Sequence, residues 1–285
     1  MLVPEKQIVF IEEKARLIRE TIIEMLVAAR SGHTAGPLGM ADIFATFYFQ
    51  ILKHDPHNPG WAERDRLILS NGHITPVRYA TMAHAGYFPI EECLTLRKFG
   101  TRLQGHPERT KLPGVETTSG PLGLGLGQAA GYAYGARMDG KKFRTYCFMS
   151  DGEQDAGNVW ESAMFAGNNK LHNLTALIDR NNIQINGMTE HVMPLENLRA
   201  KYEAFNWHAI EIDGHNIREI IDAVDEAKAI YEKPTVIIAH TIPGKGIKEI
   251  EFDYTWHGKA PSKEEAKKFL HELRTMKGKI ESEHE

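Results

Sequence analysis

Between residues 126 and 239 the chain alternates amphipathic stretches with short apolar runs so regularly that few architectures accommodate it. The pattern predicts helices over 126–137 and 157–168, with strands over 145–149 and 174–178. After an irregular stretch it predicts a helix over 195–205, a strand over 208–212, a helix over 217–231 and a strand over 235–239. Strands that alternate with helices of about 12 residues form βαβ units and a parallel sheet covered on both faces. The expectation is an α/β fold: one doubly wound parallel sheet with helices on both faces.

The N-terminal part supplies further layers. Residues 8–30 place Ile11, Ala15, Ile18, Ile22, Met25 and Leu26 at close to helical spacing, and Ser31-Gly32 ends that helix, glycine supplying a left-handed cap. A second apolar helix is expected over 40–52 and a short buried strand over 66–70. Residues 76–85 and 89–99 read as a helical pair, each opened by a proline. Without repeats or a low-complexity linker, residues 1–285 read as a single domain, ending from about 263 to 285 in a surface helix and tail. Two long loops, 100–125 and 243–262, are the places to look for function.

Charge and cysteine usage exclude several classes. A net charge of -4, with both signs scattered, offers no basic stripe for nucleic acid. The two cysteines, Cys93 and Cys147, lie far apart and build neither a disulfide framework nor a cysteine zinc site. No apolar run approaches the roughly 18 residues needed to span a bilayer, and the first residues lack a secretory pattern. A cytoplasmic location is expected.

In doubly wound sheets, ligands bind outside the carboxyl ends of the strands. Asp151 follows one predicted strand directly, and Asp179-Arg180-Asn181-Asn182 follows the next. One helix plus one strand separates Asp151 from Asn181, so the two side chains can meet across neighbouring strands. A carboxylate, an amide oxygen and a backbone carbonyl form a hard oxygen set suited to Mg²⁺, with Gly152 letting a phosphate approach the backbone. The alternative is that Asp151 caps the helix starting near Gly157 and Asn181-Asn182 is an ordinary turn.

A glycine-rich segment, Thr117 to Gly135, precedes a helix and suits a phosphate cradle, although it lacks the dinucleotide fingerprint and tight helix packing also explains its glycines. No P-loop surrounds Lys245. Four histidines sit beside glycine or proline at element ends: His33, His73, His106 and His257. Imidazoles there suit proton transfer and hydrogen bonding to hydroxyl groups, although a lone histidine is more often structural.

The segments SGHTAGPLGMADI, LSNGH, QGHPE, PGVETTSGPLGLGLGQAAG, SDG with RNNIQING, and WHGKAP occur in one order from about residue 12 to 262. Together they resemble the N-terminal, diphosphate-binding part of transketolase, a thiamine diphosphate enzyme. The resemblance implies that Asp151, Asn181 and the carbonyl of Ile183 bind Mg²⁺, which holds the cofactor diphosphate together with Gly152. It further implies that Gly120 and Leu122 touch the thiamine moiety, that His73 lies near the diphosphate, and that His33, His106 and His257 handle substrate hydroxyls and protons. Members of the family move a two-carbon ketol unit from a ketose to an aldehyde, the cofactor acting as electron sink.

A complete transketolase is more than twice as long, adding a pyrimidine-binding domain and a C-terminal domain. The resemblance therefore implies the N-terminal subunit of a split transketolase that works on sugars or sugar phosphates. Its expected partner is a C-terminal subunit carrying the pyrimidine-binding domain and the activating glutamate, in an α2β2 heterotetramer. Three departures stand out: Ser150 where the family has glycine, Ala156 where it has a glutamate of an intersite carboxylate network, and Arg78 where an uncharged residue is usual. Arg78 reads as a surface or salt-bridge residue or as a gripper of phosphate, sulfonate or carboxylate, which keeps a sulfosugar or modified pentose open as substrate. Two rival readings are the α subunit of a 2-oxo acid dehydrogenase E1 and a non-catalytic protein that kept the fold.

Overall fold

The computed structural model describes residues 3–275. Its main sheet has five strands: β1 (Arg66–Leu69), β2 (Thr145–Ser150), β3 (Leu174–Arg180), β6 (His208–Asp213) and β7 (Thr235–His240). A two-residue hairpin, β4 (Ile183–Gln184) with β5 (Gly187–Met188), lies between β3 and β6 in sequence. The main sheet runs in the order β1-β2-β3-β7-β6 with every pairing parallel. Because the pairs are parallel, Ser70, Asp151, Asn181, Thr241 and Gly214 all follow strand ends at one edge of the sheet.

Period-two alternation divides each strand between two apolar layers. Tyr146 and Phe148 of β2, with Leu177 of β3 and Ile237 of β7, pack against the Glu5–Ala29, Ala41–Thr46, Ile217–Ala229 and Lys263–Thr275 helices. Cys147 and Met149, with Ile178 and Ile238, pack against the Gly125–Met138, Gly157–Asn168 and Leu198–Ala204 helices. Both faces are covered, as expected, and the continuous apolar runs follow from that.

Local details differ from the sequence reading. The Glu5–Ala29 helix is closed by Arg30, whose φ is 52°, and not by Gly32; the Arg30 amide bonds the carbonyls of Leu26 and Val27. The expected 40–52 helix is an α-helix over Ala41–Thr46 continued by a π-helical turn over Phe47–Ile51. The expected 89–99 helix is only a 3-10 turn over Ile90–Thr95, because Arg97 turns left-handed at φ 60°. The 195–205 helix shortens to Leu198–Ala204. At the C-terminus a helix spans Lys263–Thr275, and the expected tail beyond lies outside the described residues. No described helix is long and apolar enough to cross a membrane.

Candidate active site

At the carboxyl edge of the sheet lies a cleft of about 450 Å³. It is lined by His33, His73, His106 and His257, by Gly120, Leu122 and Gly152, and by Glu153 and Ile183. A larger hollow of about 570 Å³ between Val27, Arg30 and Pro261 holds no buried acid or imidazole, so the chemistry belongs to the smaller cleft.

Four separate segments bring the histidines together. His33 follows the N-terminal helix, His73 lies in the turn after β1, His106 comes from the long loop, and His257 follows the turn over Tyr254–Trp256. The rings of His33, His73 and His257 form a triangle with centroids 4.9, 5.1 and 5.6 Å apart. Burial, reinforced by the neighbouring His257, Arg97 and His106, pushes His33 down to about 4. Burial also lowers His73, His106 and His257, so the cluster is a set of neutral imidazoles at neutral pH. The Nδ1 atoms of His33 and His257 are buried without a partner among the described residues, as are both amide atoms of Asn71 after β1 and the hydroxyl of Ser119 beside Gly72. Buried polar groups usually have partners, so the two free ring nitrogens of His33 and His257 on the cleft wall fit a polar ligand, and Asn71 and Ser119 precede the lining residues His73 and Gly120 in the chain.

Asp151 and Asn181 sit just behind this wall, both buried. Asp151 Oδ1 accepts from the Gly152 amide at 2.7 Å, and Oδ2 accepts from the Asn182 amide at 2.7 Å and from Arg180 Nη1 at 3.1 Å. The helix from Gly157 has no side-chain cap; Asp151 instead caps the short 3-10 turn over Gly152–Asp155 just before it, so the capping alternative holds one turn earlier than expected. Burial raises Asp151 to about 6 against the opposing pull of Arg180, and raises the neighbouring Asp179 to about 7. Asn181 donates to Asp179 at 2.8 Å, which turns its amide oxygen toward the Ile183 amide at 3.0 Å. Asn182 takes φ 63° and is followed by the small hairpin that carries Ile183 into the cleft wall.

Among the described residues no three His, Cys, Asp or Glu side chains gather as a metal cage. A site of one carboxylate, one amide oxygen and one carbonyl is of a different kind. Asp151 Oδ2 is filled by the Asn182 amide, Arg180 and Thr189, but Asp151 Oδ1 and the Asn181 amide oxygen each accept one hydrogen bond and keep a lone pair, and this hard oxygen chemistry fits Mg²⁺ completed by phosphate and water.

Glu153, which the sequence reading passed over, lies in the same wall and is 2% exposed. Its carboxylate accepts from Ser70 Oγ at 2.6 Å, from the Gly123 amide at 2.7 Å and from the Ser150 amide at 2.7 Å. It joins the ends of β1 and β2 to the glycine-rich loop, and burial raises it to about 7. The one signal in sequence was an acid two residues beyond Asp151.

The departures find physical places. Arg78 is fully buried and donates to the Gly114 carbonyl at 3.1 Å, outside the residues that line the cleft. It is neither the surface residue nor the substrate gripper that sequence offered. Ala156 packs where a Cβ on Gly123 would come within 2.7 Å, so the loop closes tightly over it. Asp155 accepts from Gln184 Nε2 at 3.2 Å and is engaged with the hairpin.

Residues 11–278 match the family model described as transketolase, thiamine diphosphate binding domain. The chain is 44% identical over 241 residues to the 6-deoxy-6-sulfo-D-fructose transketolase subunit SqwG of Clostridium sp. (strain MSTE9), covering 85% of this chain and 88% of that protein. It is 36% identical over 277 residues to an apulose-4-phosphate transketolase subunit of Phocaeicola vulgatus, covering 97% and 98%. The crystal structure of a Campylobacter jejuni transketolase superposes with a TM-score of 0.88 at 34% identity, over 96% of this chain and 43% of that one. The chain thus spans less than half of the long transketolase and nearly all of the subunit-sized relatives.

Proposed function

This chain belongs to the transketolase family, and from that premise we propose that it is the N-terminal, diphosphate-binding subunit of a two-chain transketolase. The single observation that carries the reading is the convergence of His33, His73, His106 and His257 on one cleft whose wall is Gly120, Gly152 and Ile183, with Asp151 and Asn181 directly behind. In this reading the whole chain forms one diphosphate-binding domain working in the cytoplasm.

Thiamine diphosphate supplies the electron sink for carbon-carbon cleavage and formation when bound. The chain's own residues hold and orient it. Asp151, Asn181 and the Ile183 carbonyl take Mg²⁺, and Gly152 and His73 face the diphosphate. Gly120 and Leu122 lie along the thiamine. His33, His106 and His257, neutral at working pH, accept and donate hydrogen bonds to sugar hydroxyls and hold protons at their ring nitrogens.

The substrates in this reading are a ketose donor and an aldehyde acceptor of which at least one bears a phosphate or sulfonate. The relatives named for sulfofructose and for apulose 4-phosphate favour that class. Pyruvate decarboxylation finds no support in the family match. The partner is a chain carrying a pyrimidine-binding domain, in a heterotetramer with two copies of each. Exposed Leu122, at 44%, and Leu124, at 42%, beside the cleft give such a chain an apolar surface to cover.

The test is co-expression with a candidate partner and a screen of ketose donors against aldehydes, with pyruvate as the competing substrate. Ketol transfer that needs both chains, thiamine diphosphate and Mg²⁺ is expected. The Asp151→Ala variant is expected to lose cofactor binding by calorimetry, whereas His257→Ala keeps binding and slows transfer. Full activity of the single chain would overturn the two-chain assignment.

A further inference from the structure

Arg78, which lies outside the cleft, carries a charge that no side chain around it answers. The Thr75–His84 helix turns its side chain fully inward, at 0% exposed. Nη2 donates to the Gly114 carbonyl at 3.1 Å, while Nε and Nη1 are buried without a hydrogen-bond partner among the described residues. A guanidinium stays protonated in a protein, and a charge in a dry interior is costly unless it is paired. Arg78 therefore calls for a counter-ion.

Its neighbours do not supply one. Glu116, two residues after Gly114, is spent on Arg64: each of its oxygens accepts from that guanidinium, Oε1 at 2.6 Å, and Oε1 also accepts the Leu67 amide at 3.1 Å. Arg64 and Glu116 cancel each other and add no net charge. Tyr48 and Tyr87 both feel the Arg78 charge, yet burial raises both phenols, which keep their protons. The Tyr87 ring lies against Gly114, where a Cβ would come within 2.8 Å of it. His54 joins the two tyrosines, with Nε2 2.8 Å from the Tyr48 carbonyl and Nδ1 3.0 Å from the Tyr87 hydroxyl, and an imidazole brings no negative charge. The group as a whole is left one positive charge in excess.

The surroundings select the class of ligand. A site with no exposed surface excludes a sugar or a phosphate ester. A bridging water would satisfy the free N–H groups but leave the charge unpaired. A monatomic anion meets both demands: it accepts N–H bonds from any direction, asks for no acceptor in return, and sits well beside the positive rims of aromatic rings.

We propose that Arg78 binds a buried chloride or equivalent halide ion between the Thr75–His84 helix and Gly114, a structural anion site separate from the active cleft. The helix follows the turn that carries His73, and Gly114 leads into the segment that carries Gly120, so the ion links two stretches that end in the cleft wall.

The full chain is melted in sodium gluconate, with chloride and then bromide exchanged for gluconate at constant ionic strength. An ion bound only by the folded chain raises Tm with the logarithm of its concentration. Once the site is more than half filled, a rise of about 2–4 °C per tenfold is expected for a chain of this size. Arg78→Met, which removes the charge and keeps the bulk, is expected to lose that dependence and to melt at or above the parent in gluconate. Parent crystals soaked in bromide are expected to show anomalous density within hydrogen-bond reach of Nε and Nη1, a readout that stands even where the variant fails to fold. A parent Tm that ignores both halides overturns the proposal, and a bromide peak in that case records binding at crystal concentration only. A halide dependence undiminished in Arg78→Met also overturns it, because the ion then sits elsewhere. An ordered water without anomalous signal at Nε and Nη1 overturns it as well, since the guanidinium is then solvated and not paired. None of these readouts depends on the cofactor, the partner chain or the transketolase reading.

Discussion

The carboxylate of Glu153 accepts the amide proton of Gly123 at 2.7 Å across thirty residues of sequence, and this contact fastens the glycine-rich loop to the sheet. The same carboxylate takes Ser70 Oγ and the Ser150 amide, and Ser70 Oγ in turn accepts from the Gly125 amide at 3.1 Å. The floor of the cleft is therefore shaped before any ligand arrives. Removing the acceptor leaves buried donors unsatisfied, each worth about 1–3 kcal/mol. Glu153→Ala is expected to lower unfolding stability by at least about 2 kcal/mol in urea denaturation and to weaken thiamine diphosphate binding. Glu153→Gln, which keeps one acceptor, loses less. Unchanged stability and affinity in both variants would refute the clamp.

Glycine is required at one place in the loop and dispensable at another. A Cβ on Gly125 would stand 2.3 Å from Ser70 Cβ and 2.7 Å from its Cα, where backbone cannot give way, whereas a Cβ on Gly131 meets nothing within 4 Å. Gly125→Ala is expected to cost about 1–3 kcal/mol through overpacking. Gly131→Ala, in the interior of the Gly125–Met138 helix, gains about 0.5–1 kcal/mol from helix propensity. Denaturation midpoints of the two variants, measured side by side, check the contrast.

On the opposite layer, Arg19 and Asp42 form a buried pair, with Arg19 Nη1 to Asp42 Oδ1 at 3.0 Å. His215 Nδ1 lies 2.8 Å from Asp42 Oδ2, and its Nε2 accepts the Ile242 amide at 2.8 Å, which fixes the start of the loop that carries His257. Breaking such a pair from one side costs about 3–5 kcal/mol, the magnitude expected for Asp42→Asn at neutral pH. Burial alone would raise Asp42, but Arg19 and His215 outweigh it and hold the carboxyl well below its ordinary range. A depressed carboxyl stabilises the fold fully above its unfolded value of about 3.9 and loses that contribution as pH falls below it. The stability gap between parent and Asp42→Asn should shrink below about pH 4 in urea titrations; a constant gap would contradict the assignment.

The histidine cluster makes a separate acid prediction. His33, lowered to about 4 by burial with His257, Arg97 and His106 around it, binds fewer protons folded than unfolded between that value and 6.5. Its contribution is complete above the unfolded pKa and is lost as pH falls toward the folded one. Ring NMR is expected to show His33 and His73 still neutral at pH 5, while an exposed histidine has already titrated. A His33 midpoint near 6.5 would show that the cluster is solvated.

The sheet was legible because its signal is local. Apolar runs such as Tyr146-Cys147-Phe148-Met149 carry their two-sided burial in adjacent residues, and Asp151 and Asn181 inherit their places from the strands they follow. The 89–99 stretch misled for an equally local reason: Ile90 to Thr95 has helical composition, but Arg97 spends its backbone on a left-handed turn that pairs with Leu103. Arg78 misled because nothing in a helix sequence says which side is core, and here the guanidinium points inward to Gly114.

By itself, the sequence determined the alternation of elements, the parallel sheet, the glycine-rich loop and the acids at strand ends, because periodicity and turn chemistry act over a few residues. Only the tertiary structure decided that His33, His73, His106 and His257 share one cleft, that Glu153 closes on Gly123, and that Arg97 reaches both Ser31 and Gly105. Those meetings span tens to hundreds of residues, and they are set by how crossovers and layers pack around the sheet rather than by any pattern along the chain.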